Sequence, residues 1–299
     1  MQLITGTTKL LGIIGHPVEH SLSPVMHNAA IGALQLHSAN APMGLDYVYL
    51  PLPVKPADLE AAIAGFNAIG LVGFSVTIPH KQAIVPLLSE VSSVAQVVGA
   101  VNTVWRTEAG WNGTNTDVEG FIAPLQACNR DWSQTISVIL GNGGAARAVV
   151  LGLAQLGCTE IHVVGRNLQN LSQFQQSWLN ALLPISLNVH PWEQLPELMS
   201  QADLVVNTTP VGMYPNVEQS PVEAVAMQGL KEGAIAYDLI YTPNPTQFLR
   251  QAKEQGAITI DGLEMLVQQG VAAFKIWLGQ TPSVDIMRQS LQQHLGLST

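Results

Sequence analysis

Residues 136–146, Ile-Ser-Val-Ile-Leu-Gly-Asn-Gly-Gly-Ala-Ala, restrict the possible folds more than any other stretch of this chain. The run from Ile136 to Leu140 has the length and composition of a buried strand. Gly141 then permits a tight turn, Gly143 lets a ligand approach the backbone, and Ala146 lets the following helix pack close to the strand. A helix starting here offers free N–H groups and a partial positive charge, the setting in which a pyrophosphate binds. Strand, glycine loop and helix in that order specify a parallel α/β unit that holds a dinucleotide at the C-terminal end of its strand.

The rest of the chain alternates in the same way. Residues 10–15 read as a buried strand, and Ser23–Leu36 as a helix with Pro24 in its first turn. Tyr47–Leu52, Leu71–Thr77 and Val101–Arg106 read as further strands, with helical stretches at 57–68, 81–88 and 93–98. Glu108–Thr116, rich in Asn and Gly, reads as a passage between domains, and a helix starts at Asp117. Beyond the glycine loop, strands are expected at 161–164, 187–190, 204–207 and 235–239, with a helix near Leu168–Leu182. From Pro245 the chain reads as largely helical. At 299 residues, and about 150 per domain, two domains are expected.

The strand after the glycine loop ends His162-Val-Val-Gly-Arg-Asn167. An NAD site usually carries a carboxylate there for the ribose hydroxyls. This chain has Arg166, whose guanidinium can pair with a 2′-phosphate and stack on adenine, so NADP is the expected cofactor. Asn207-Thr-Thr-Pro-Val-Gly-Met-Tyr-Pro215 follows another buried strand, and Thr208 and Met213 are candidate cofactor contacts.

Composition narrows the partners. Lys and Arg total 12 against 21 Asp and Glu, a net charge of −9, which opposes nucleic acid and anionic membrane but not a small anion beside a local cation. Cys128 and Cys158 form no CxxC pair, which fits a reducing cytoplasm. No apolar run reaches the roughly 18 residues of a membrane span. A soluble, cytoplasmic protein acting on a small molecule is expected, as a monomer or homodimer.

The first half ends its strands in polar signatures. His20-Ser-Leu-Ser-Pro24 places Ser21 and Ser23 before a helix, where one can cap it and both can bind a carboxylate or hydroxyls. Phe74-Ser-Val-Thr-Ile-Pro-His-Lys81 puts Thr77 and Lys81 at a strand end. Asn102 interrupts an apolar strand, and Asp117 opens a helix. Singly, Lys81 reads equally as a solvated first-turn lysine and Asp117 as a helix cap. His16-Pro-Val-Glu-His20 matches the H-x-x-E-H pattern of a zinc site. Pro17 and Pro24 argue for a turn rather than the helix that site needs, and no catalytic metal is expected.

SLSP, SVTIPHK, GAVNT, GTNTD, GNGGAARA, NTTPVGM, YDLIYTP and DGLEMLVQQG follow one another in this order. The series resembles the shikimate dehydrogenase family over nearly the whole chain. SVTIPHK with GTNTD is its specific part; the glycine loop alone is not. The resemblance implies reversible reduction of 3-dehydroshikimate to shikimate by NADPH, a step toward chorismate and the aromatic amino acids. It implies Lys81 and Asp117 as a catalytic pair in contact with substrate. Ser21 and Ser23 would hold the substrate carboxylate, and Thr77, Asn102, Tyr241 and Gln269 its hydroxyls and ring. Gly141, Asn142, Gly143, Gly144, Ala145, Arg166, Asn167, Leu239 and Gly262 would contact the cofactor. Asn142 stands where the family commonly has Ala, and Gly165-Arg166-Asn167 where it commonly has Asn-Arg-Thr or Asn-Arg-Ser; the arginine is kept.

The implied fold is α/β in two domains. One is an N-terminal mixed or parallel α/β substrate domain of residues 1–112 plus 240–299. The other is a Rossmann-type, doubly wound NADP domain of residues 113–239. Two other readings are a quinate or dual quinate/shikimate dehydrogenase using NAD, and a non-catalytic NADP-sensing module. Arg166 and the Ser21/Ser23 pair favour shikimate with NADP, and the presence of both Lys81 and Asp117 opposes the sensor.

Overall fold

The computed structural model describes residues 4–37, 46–179 and 183–297. The chain forms two compact units, residues 1–120 with 267–299, and residues 121–266. Each is built on a six-stranded sheet.

The sheet of the first unit contains β1 (Lys9–Gly15), β2 (Tyr47–Pro53), β3 (Gly73–Val76), β4 (Glu90–Val91), β5 (Thr103–Thr107) and β6 (Gly110–Thr114), in the order β2-β1-β3-β5-β6-β4. β1 runs parallel to β2 and β3, while β5 is antiparallel to both β3 and β6. The C-terminal ends of β1, β3 and β6 and the N-terminal end of β5 therefore share one edge of the sheet. Beneath it, Ile14, Phe74, Val76, Ile84, Val104 and Trp111 form one apolar cluster, with Phe74 and Trp111 edge to face at 5.2 Å.

Glu108–Thr116 is not a passage between domains. Most of it is β6, joined to β5 by a tight hairpin that pairs Thr107 with Gly110. Its alternation was hidden because a glycine occupies a core-facing position: a Cβ on Gly113 would lie 2.5 Å from Leu88 and 2.9 Å from Val101. Val101 and Asn102 precede β5 rather than belonging to it, and the two-residue β4 carried no sequence signal. The two C-terminal helices, Gly262–Leu278 and Val284–Leu295, return to the first unit from Val267 onward. Trp277 Nε1 donates to the Val104 carbonyl at 2.9 Å, and Gly270 packs so closely on Met26 that a Cβ would overlap it.

The second sheet contains β7 (Ile136–Leu140), β8 (Glu160–Gly165), β9 (Ser186–Pro191), β10 (Leu204–Asn207), β11 (Ile235–Asp238) and β12 (Ile258–Ile260), in the order β12-β11-β10-β7-β8-β9. All neighbours are parallel. Its inner strands are buried on both faces, which explains their continuous Val/Ile/Leu runs. The strand order reverses between β7 and β10, and ligands of such sheets bind outside the strand ends at that reversal. β12 lies in a stretch expected to be helical. Its pairing with β11 carries the second unit to Leu266, beyond the expected boundary at 239, while residues 113–120 go with the first unit. The helix expected near Leu168–Leu182 spans Leu168–Gln176, and residues 180–182 lie outside the described residues. No helix among the described residues is long and apolar enough to cross a membrane.

Candidate active site

In the first unit, the shared sheet edge collects the polar signatures. β3 ends at Val76, and Thr77 follows with its N–H on the Ile14 carbonyl at 2.9 Å. Gly15 makes room for it, since a Cβ there would lie 2.5 Å from Thr77 Cγ2. The chain then turns into the short helix His80–Ala83. His80 is buried and donates from Nε2 to the Val54 carbonyl at 2.7 Å, which anchors the turn. The Lys81 carbonyl accepts from the Val101 N–H at 2.8 Å, so the lysine's backbone is tied to the segment entering β5.

Lys81 Nζ donates to Asp117 Oδ2 at 2.5 Å, with the lysine side chain 24% and the aspartate 11% exposed. Asn102 Nδ2 donates to the other carboxylate oxygen, Oδ1, at 2.8 Å. The amide itself is fixed: Asn102 Oδ1 accepts from the Thr116 N–H at 2.7 Å and from Thr103 Oγ1 at 3.0 Å. Asp117 is therefore not spent as a helix cap. It is the first residue of the helix Asp117–Gln126, its N–H is taken by Asn115 Oδ1 at 3.0 Å, and its carboxylate crosses to Lys81 and Asn102. A helix N-terminus favours negative charge there. Both oxygens of one carboxylate are thus oriented, and a lysine ammonium with further N–H donors is held beside it.

Ser21 and Ser23 follow β1 at the same edge. Ser21 Oγ accepts from the Ser23 N–H at 3.3 Å, and Ser23 is 5% exposed at the start of the helix Ser23–His37. A residue not singled out from sequence joins them. The buried Tyr49 hydroxyl donates to Ser75 Oγ at 2.8 Å and is hydrogen-bonded by the Ser23 side chain. Burial pushes its phenol well up from the ordinary value. The only sequence signal was an aromatic at a core-facing strand position. Gln269 is buried in the first unit, next to the Gly270 contact, whereas Tyr241 belongs to the second unit, after β11. His16–His20 forms turns, not a helix, so its two imidazoles lack the common helical face of the zinc pattern.

In the second unit, Gly141 adopts φ +100° directly after β7, a conformation that suits only glycine, and its N–H bonds the Val164 carbonyl. Gly143 precedes the helix Gly144–Leu156 with no side chain capping it, and a Cβ on Gly143 or Gly144 would meet nothing within 4 Å. Uncapped helix N–H groups facing open space form a cradle that fits a phosphate. The adjoining cleft is lined by Gly141, Asn142, Gly143, Gly165, Arg166, Trp192, Thr208, Thr209, Pro210, Val211, Ser220 and Pro221. Among the described residues its lining contains an arginine and no acidic residue, which suits a phosphorylated ribose.

Other expected cofactor residues have different surroundings. Thr208 lines the cleft, but its hydroxyl donates to the Leu140 carbonyl at 2.7 Å and braces the glycine loop. Asn167 caps the helix Leu168–Gln176 by accepting the Asn170 N–H at 2.9 Å. Gly144 and Ala145 form the first turn behind the cradle. Met213 is outside the lining and 43% exposed. Leu239 and Gly262 pack on each other, with no room for a Cβ on Gly262. Beneath the 207–213 loop, buried Asp238 accepts from Asn207, Thr246 and the Ile240 N–H. Burial raises its pKa to about 6 against these hydrogen bonds.

Residues 13–104 match the model of the shikimate dehydrogenase substrate-binding domain, 125–266 that of shikimate/quinate 5-dehydrogenase, and 262–292 that of the shikimate 5′-dehydrogenase C-terminal domain. A shikimate dehydrogenase (NADP+) of Trichormus variabilis is 66% identical over 297 residues, covering 99% of this chain and 100% of the relative. A crystal structure of shikimate dehydrogenase in complex with NADP+ superposes with a TM-score of 0.87 at 36% identity, covering 98% of each chain. The enzyme of Listeria monocytogenes, in complex with shikimate and NAD, superposes with a TM-score of 0.85 at 34% identity, covering 97% of this chain and 99% of that one.

Proposed function

The chain belongs to the shikimate dehydrogenase family, and from that premise we propose that it reduces 3-dehydroshikimate to shikimate reversibly with NADPH, on the route to chorismate and the aromatic amino acids, with Lys81 and Asp117 handling the proton. The observation that carries the proton assignment is the Lys81–Asp117 pair, locked by Asn102 at an edge where Ser21, Ser23 and Thr77 also gather.

Bound NADPH supplies the hydride to the ketone carbon. Charge then develops on the ketone oxygen, and a positioned acid must meet it. Lys81 Nζ donates that proton, and in the reverse direction the same nitrogen takes it from the alcohol. Asp117 limits where Nζ can sit, because its carboxylate accepts Nζ at one oxygen and is held by the Asn102 amide at the other. Ser21 and Ser23 hold the substrate carboxylate, with Tyr49 fixing Ser23 from behind. Thr77, Asn102, Tyr241 and Gln269 bind the hydroxyls and ring.

On the cofactor side, the uncapped helix start at Gly143 takes the pyrophosphate, and Arg166 takes the 2′-phosphate. The acid-free lining supports NADP over NAD. Both cysteines are free thiols, one of them buried, which supports a cytoplasmic setting; we keep monomer or homodimer as the assembly.

Initial rates with shikimate and with quinate, each with NADP+ and with NAD+, test the reading. The highest kcat/KM is expected for shikimate with NADP+. A preference for quinate or for NAD+ would replace it with the quinate dehydrogenase reading.

A further inference from the structure

Among the described residues, Trp192 is the one aromatic lining the cofactor cleft, and neither motif nor composition singles it out. Its place follows from sheet register. β8 and β9 are parallel neighbours, and Gly165 pairs with Pro191. The next residue on each strand is Arg166 and Trp192, so the two leave neighbouring strand ends, strands being spaced about 4.8 Å apart. Trp192 opens the short 3-10 turn Trp192–Gln194. It is partly buried and packs against the core cluster that includes Val164, Leu195 and Leu198. It is therefore held from one side by the core while it borders the cleft on the other. Arg166 is exposed on the same lining.

A guanidinium and an indole are the two side chains best suited to the faces of a planar base. We propose that Trp192 is a binding surface for the adenine of NADP(H), working with Arg166 as the other wall, so that Arg166 holds both the 2′-phosphate and the base. This rests on the NADP reading above. It adds a residue that sets affinity for the adenine half of the cofactor independently of the glycine loop. It also accounts for a single arginine sufficing here: among the described residues of the cleft no second cation is present.

The test is direct binding of NADPH and of 2′,5′-ADP to the full-length protein by calorimetry, for wild type, Trp192→Phe, Trp192→Leu and Trp192→Ala, with thermal melts of each. Base–aromatic stacking of this kind corresponds to a loss of roughly tenfold or more in affinity when the ring is removed. Trp192→Phe should bind both ligands within a fewfold of wild type. Trp192→Leu, which keeps an apolar side chain on the core, should lose roughly tenfold for both, and Trp192→Ala at least as much. Equal affinity of the Leu and wild-type proteins for 2′,5′-ADP would overturn the proposal while leaving NADP use intact. Equal losses in the Phe and Leu variants would overturn it too, by making Trp192 a packing residue. Failure of wild type itself to bind NADPH would remove the NADP reading and the proposal together.

Discussion

At the scale of single residues, the first unit places polar groups where they have no solvent to fall back on. His27 illustrates what this costs. It is 1% exposed, neither ring nitrogen has a hydrogen-bond partner among the described residues, and its ring stacks on Tyr49 at 4.4 Å and faces Trp277 at 5.3 Å. Burial lowers its pKa to about 3. A histidine whose folded value is depressed contributes fully above its unfolded value near 6.5, and that contribution is lost as pH falls toward the folded value. Between pH 8 and pH 5 the loss is about 2 kcal/mol for a fully buried group. His27→Phe should therefore raise the melting temperature, and raise it more at pH 5 than at pH 8. An equal shift at both values would mean that the ring does not stay neutral in the fold. None of this was visible in the sequence, where His27 is an unremarked helical residue. Asp117 is the same lesson with a different outcome: its local position suggests a cap, and only the β5–β6 hairpin together with the longer-range pairing of β3 with β5 brings Asn102 and Lys81 to its oxygens.

At the scale of elements, the strand–loop–helix around Gly141 was legible because everything it needs lies within a dozen residues. Its glycines are not equivalent. Gly141 has φ +100°, and a Cβ would come within 2.9 Å of Thr208 Oγ1. Gly143 has φ −87°, and a Cβ would meet nothing. Gly141→Ala should lower both stability and NADPH affinity, the stability loss being about 1–3 kcal/mol. Gly143→Ala should leave the melting temperature nearly unchanged yet weaken NADPH binding, because the added methyl meets no protein atom and enters only the open space we assign to the phosphates. Melting and calorimetry on the two variants check this; unchanged binding in Gly143→Ala would show that the cradle is not where the phosphates sit. β6 and β12 were misread for opposite reasons. In β6, Gly113 takes a core position and breaks the apolar alternation, while β12 is a three-residue strand with Ile258 54% exposed, too short and too wet to show a period. The place of Trp192 beside Arg166 was not legible because it depends on the register of β8 against β9, and register is not a local property.

At the scale of the whole molecule, two α/β units and the return of the C-terminal helices to the first unit were readable, the latter through the resemblance carried by DGLEMLVQQG. The unit boundaries were not, since they depend on where β12 pairs and on which residues gather around Asp117. Family membership brings the reaction, and the structure holds one lysine, one carboxylate and one amide in a fixed chain of hydrogen bonds, to which we assign its proton. The most direct test is the steady-state reduction of 3-dehydroshikimate by the Lys81→Ala protein, with NADPH affinity measured on the same sample. Loss of a positioned acid should lower kcat by about 10²–10⁴ while NADPH binding stays at the wild-type level. A variant that keeps most of its kcat and shows only a raised KM would make Lys81 a docking residue and contradict its role as the proton carrier.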